Sequence, residues 1–160
     1  MTTTIIDLPE TSRVWIYQNK GPIPGAVLPE ISKAVDAFAR QWVSHNQQMS
    51  ARGIVLHERF IVLLADESRV GAGGCSIDSS VHFIKGLEQN YGLDLFDRMT
   101  FSYKNSEGVH TVDRETFADL YQNGKINDDT IVFDTLVNTK GALDGEFEKR
   151  LEDSWHKRMV

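Results

Sequence analysis

Phe60-Ile61-Val62-Leu63-Leu64-Ala65 is apolar at every position. A strand turns successive side chains to opposite faces of its sheet, so this segment needs cover on both sides. The chain must therefore be layered, with this strand at the centre of a sheet. A tight connection, His57-Glu58-Arg59, joins it to another strand over residues 53–56.

The elements around it follow from periodicity. Arg13-Val14-Trp15-Ile16-Tyr17 is rich in β-formers and is closed by Asn19-Lys20-Gly21-Pro22. From Pro29, the residues Ile31, Val35, Phe38 and Trp42 recur on one helical face, and the helix ends near His45-Asn46. Val81, Ile84, Leu87 and Tyr91 mark a second helix, and Met99, Phe101 and Tyr103 one face of a further strand. The order β-α-β-β-α-β predicts an α+β fold, a ferredoxin-like antiparallel sheet with helices on one face. Residues 105–160 read as a C-terminal α/β extension. Strands are expected over residues 109–112 and 130–133. Between them Asp113 caps a helix that Asn123-Gly124 ends. A last helix is expected to carry Leu143, Phe147, Leu151 and Trp155 as one stripe, with His156, Lys157 and Arg158 at its negative end. We expect a loose arm over residues 1–11, a core over 12–104 and the extension over 105–160, packed as one domain. The extension, or a second subunit in a homo-oligomer, must cover the remaining face of the sheet.

The chain has 160 residues and a formal net charge of −6. That balance argues against nucleic acid as a partner. No apolar run approaches the ~20 residues of a membrane span, and Met1-Thr2-Thr3-Thr4-Ile5-Ile6-Asp7 lacks the pattern of a signal peptide. The expectation is a cytoplasmic protein with no membrane partner. One cysteine excludes an internal disulfide and a cysteine-built zinc site.

Chemistry is most concentrated in Gly71-Ala72-Gly73-Gly74-Cys75-Ser76-Ile77-Asp78-Ser79-Ser80, between the apolar strand and the second helix. A glycine-rich turn before a helix can aim backbone N–H groups at an anion, with Gly73, Gly74, Ser76, Ser79 and Ser80 as donors. The alternative is a purely conformational turn with Ser76 or Asp78 as N-cap. Cys75 is the candidate nucleophile, with His45 as base and Asp78 or Asp66 orienting the imidazole; Lys104 is expected nearby. The alternative is a buried structural cysteine. His57-Glu58-Arg59-Phe60-Ile61 begins like a zinc-protease motif but has Ile61 at the second ligand position. His45, His82, His110 and His156 show no ligand spacing either, so neither metal nor cofactor is expected.

Gly73 to Lys85, Gly124 to Phe133 and Asp153 to Arg158 together resemble a family of small bacterial proteins of uncharacterised activity. Members often carry the label "ABC transporter ATPase". The label implies nucleotide binding, yet no G-x-x-x-x-G-K-[ST] loop is present. Gly124-Lys125-Ile126, followed by Asp129-Thr130-Ile131-Val132-Phe133, is also similar to the "GKI…DTxV" segment of GYF-like peptide-binding modules. Capping chemistry alone produces the same letters. The reading is a ligand-binding or protein-interaction protein without a catalytic motif. Its alternatives are a thiol-dependent enzyme or redox sensor at Cys75 and, last, the ATPase of the family label.

Overall fold

The computed structural model describes residues 6–160. Residues 1–5 of the expected arm lie outside the described residues. The remainder of that arm is docked: Ile6 is buried, and the Glu10 and Ser12 carbonyls accept the N–H groups of Gly141 and Lys140.

The fold is α+β with two main antiparallel sheets. The first has the order β1 (Arg13–Gln18), β5 (Phe60–Asp66), β4 (Ser50–Leu56). Strand β5 is central, and its apolar residues are buried on both faces. One face, with Tyr17, Ala51, Ile61, Leu63 and Ala65, packs on the helices α1 (Leu28–Arg40) and α2 (Gly74–Tyr91). Val35 and Ala39 of α1 and Ile84 and Leu87 of α2 supply the facing side chains. Helix α1 lies so close to β4 that a Cβ on Gly53 would come within 2.5 Å of the Val35 carbonyl oxygen. Only glycine fits that approach. Asp36 fastens it by accepting the Gly53 N–H at 3.1 Å and Arg52 Nε at 3.0 Å.

The opposite face carries Val14, Phe60, Val62 and Leu64. Phe133, Leu143 and Phe147 cover it, so the C-terminal third supplies the missing layer.

The fourth strand corrects the ferredoxin-like expectation. The segment β6 (Thr100–Asn105) does not pair with β1. It joins a second sheet of order β7-β6-β8-β9, with β7 at Gly108–Asp113, β8 at Ile131–Phe133 and β9 at Glu148–Arg150. Helix α3 (Arg114–Gln122) closes a separate core of Phe101, Phe117, Ile126, Val132 and Leu151. Its caps are as read: the Asp113 carboxylate accepts the Thr116 N–H, and Gly124 takes a φ of 73°.

Two helix ends differ from expectation. Trp42 is followed not by more helix but by a small hairpin, β2 (Val43–Ser44) and β3 (Gln47–Gln48), with His45 and Asn46 in its turn. The expected last helix is four short pieces: α4 (Lys140–Glu146), strand β9, and 3₁₀ turns over Leu151–Asp153 and Trp155–Met159. Pairing of β9 with β8 overrides the fourfold apolar spacing.

Candidate functional site

The glycine segment is mostly helix. Gly73 is the N-cap of α2, and Gly74 and Cys75 are its first two residues, so neither Ser76 nor Asp78 caps it. The end of α1 packs here, with Trp42 Nε1 donating to the Ser76 carbonyl at 2.8 Å. The β2–β3 hairpin latches on through Ser44, whose hydroxyl donates to the Gly71 carbonyl at 2.6 Å and accepts the Gly73 N–H at 3.1 Å. The Glu67 carboxylate accepts the Ala72 N–H at 2.8 Å. One N–H of the expected anion cradle, that of Gly73, therefore already holds a protein acceptor, and the adjoining Ala72 N–H holds a charged one. Ser76 and Ser80 are buried and donate back to the Gly73 and Ile77 carbonyls, while Gly74 and Ser79 are exposed. The Gly73 N–H and the Ser76 and Ser80 hydroxyls are therefore committed to acceptors within the protein.

Cys75 is exposed, not buried in the turn. The imidazole of His45 stands beside Gly73, with Nε2 3.1 Å from where a Gly73 Cβ would sit. The turn of the β2–β3 hairpin, rather than the expected helix end, brings His45 to the start of α2. Asp78 is exposed on the helix surface, and no hydrogen bond among the described residues joins it to His45 or Cys75. Asp66 accepts the Ser68 N–H, so Glu67 is the carboxylate at this end. Lys104 pairs with Glu148 on the second sheet.

A site that the sequence reading missed lies between the two sheets. It is a cleft of about 200 Å³, lined by Tyr17 and Gln18 of β1, the stretch from Leu95 to Phe101, Thr135, Leu136, Trp155 and Met159. Its walls are held in place by buried polar contacts. Gln18 donates to the Thr100 carbonyl at 2.9 Å and accepts from the Ser102 hydroxyl at 2.7 Å. Trp155 Nε1 donates to Asp134 at 2.8 Å, and Asp134 also accepts Lys149 Nζ at 2.8 Å. Burial raises the Tyr17 hydroxyl above its ordinary pKa, against the nearby Ser80 hydroxyl and the charge of Arg98, so at neutral pH it is uncharged. At the rim, Met99 is 50% and Leu136 60% exposed. Leu136 shows no sequence signal, and Met99 reads as the first residue of a strand face with Phe101 and Tyr103; β6 instead begins at Thr100, which leaves Met99 exposed in the preceding loop.

No group of three or more His, Cys, Asp or Glu side chains converges among the described residues. No described helix is long and apolar enough to cross a membrane. Comparison with protein-family models, with curated proteins and with solved structures finds nothing that matches this chain.

Proposed function

We propose that this chain is a protein-interaction module that takes an apolar side chain of a partner polypeptide into the inter-sheet cleft. The observation that carries the reading is the rigid-walled cleft with Met99 and Leu136 exposed at its mouth. Cofactor and drug-sized ligand pockets are usually ~300–1,000 Å³. At about 200 Å³ the cleft suits one side chain better than a whole cofactor. Methionine at the rim adapts to partners of different shape.

The test is an NMR titration of the full chain with blocked peptides carrying leucine, phenylalanine or methionine. Saturable shifts of the Trp155 indole and the Thr100 amide are expected. Leu136→Glu should weaken binding by about tenfold or more, a change of about 1.4 kcal/mol. No saturable shift with any peptide at millimolar concentration would remove the proposal.

A second reading rests on Cys75. Its exposure leaves the thiol accessible, and the His45 imidazole beside Gly73 is the candidate base for it. Alkylation at neutral pH should then outpace that of a free thiol and slow on His45→Ala. A rate equal to that of a free thiol and indifferent to His45 would leave Cys75 an ordinary surface residue.

A further inference from the structure

Arg59 ends the tight connection between β4 and β5 and is only 6% exposed. Its Nη1 donates to Thr111 Oγ1 at 2.5 Å and its Nη2 to the Val109 carbonyl at 3.0 Å. Both acceptors are neutral. Nε is buried with no partner. Arg13, Arg40, Arg52 and Arg150 are all more exposed, and each has a carboxylate within ion-pair distance. Arg59 has none among the described residues, although a buried cation without a counter-charge is costly.

The guanidinium is held firmly despite this. Thr111 Oγ1 is 2.7 Å from Ser102 Oγ, and Ser102 donates to Gln18, so Arg59 terminates a hydrogen-bonded chain that crosses between the sheets. The turn is also fixed. The Ile23 N–H donates to the Glu58 carbonyl at 2.7 Å and the Asn19 N–H to the Arg59 carbonyl at 2.9 Å. His57 and Glu58 are held at φ of 52° and 56°, a region that side chains rarely adopt.

Arg59 lines a cleft of about 480 Å³, separate from the inter-sheet cleft and walled by Pro22, Leu28, Ser32, Val55 and Val109. His57 and Glu58 complete the lining. Glu58 is its one acid; it is exposed and makes no ion pair with Arg59. The cleft therefore offers an apolar wall, a serine hydroxyl and a buried guanidinium that feels the charge of Glu58 but has no carboxylate within ion-pair distance among the described residues.

We propose that this cleft binds a small anionic group, a carboxylate or a phosphate, whose charge Arg59 balances. Guanidinium forks suit both groups. The proposal does not depend on the interaction reading of the other cleft.

The experiment is an NMR titration of the full chain with inorganic phosphate in one arm and acetate in the other, at constant ionic strength. Saturable shifts at Ser32, Arg59 and Val109 are expected in at least one arm. Saturation by phosphate alone identifies a phosphate-bearing ligand; saturation by acetate identifies a carboxylate. Arg59→Gln should abolish the response, but it also touches buried bonds. Ser32→Asp and Leu28→Asp therefore serve as independent variants, placing a negative charge at the cleft wall without altering those bonds. Each should weaken binding by about tenfold or more, the scale of one close charge pair. Linear shifts in both arms, or saturation that neither aspartate variant changes, would overturn the proposal.

Discussion

Phe133→Ala destabilises the folded chain by about 3–5 kcal/mol, the usual cost of emptying a buried aromatic site. Phe133 is fully buried in β8 and belongs by pairing to the second sheet. Its ring, however, packs against Phe60 of the first sheet at 5.2 Å between centroids, and against Phe147 at the end of α4 at 5.4 Å. His57 completes the cluster edge-on at 4.9 Å. The side chain thus bridges two layers with different hydrogen-bond ladders. Truncation leaves a hole that neither layer can close without moving relative to the other. Urea unfolding reads the loss directly, and a cycle with Phe60→Ala should show coupling of about 0.5–3 kcal/mol. A loss under about 1 kcal/mol would mean that the sheets do not share this core.

The second large effect is an acid-dependent loss of stability carried by His156. Its ring is 1% exposed, stacked on Trp155 at 3.8 Å and set edge-on to Phe101 at 5.5 Å. Nδ1 lies 2.6 Å from Ser154 Oγ. Burial pushes its pKa down from 6.5 to about 4, with Asp134 opposing and Lys149 reinforcing the shift. Above pH 6.5 the ring is neutral in both the folded and unfolded chains, so it adds no pH dependence. As pH falls from 6.5 towards 4 the unfolded chain takes up a proton that the folded chain refuses. Stability falls by about 3 kcal/mol across that window, at 1.36 kcal/mol per unit. His57 adds to the loss with the same sign, since its pKa is also lowered, chiefly by burial. The carboxylates act at lower pH. Asp36 is held at about 2: burial raises it, but hydrogen bonds from Arg40, the Gly53 N–H and Arg52 outweigh that, so its contribution goes as pH falls through the range below 4. Denaturation of the native chain and His156→Gln at intervals from pH 7.5 to 4.5 tests the assignment. The variant should lose most of the slope, and equal slopes would assign the acid sensitivity elsewhere.

Local chemistry was legible where one signal dominated. Phe60–Ala65 could only be a central strand, and Asp113 could only cap the helix that follows it. The start of α2 was harder to read. Gly73 and Gly74 suggest a loop, yet Trp42 and Ser44 hold the chain in place from outside, and helix begins at Gly74 without a side-chain cap. The course of β6 depends on pairing with β7 and β8, which a β-α-β-β-α-β pattern does not encode. His45 reaches the start of α2 on the turn of the β2–β3 hairpin, not on a helix end, and Lys104 is absent there because it left with β6. Arg59 gave no sign of burial, since arginine in a tight connection normally reaches water. The inter-sheet cleft could not be foreseen once a single sheet was expected.

The division into two sheets also bears on how the chain emerges during synthesis. Every strand of the first sheet and both helices on its inner face lie before residue 92. That half can close while the ribosome is still adding the remainder, because domains fold as units from the N-terminus. Its outer face, with Val14, Phe60, Val62 and Leu64, then stays bare until Phe133 and Phe147 have been made. A nascent chain stalled in that interval presents an apolar sheet surface, the kind of surface that chaperones hold and that aggregates when they do not.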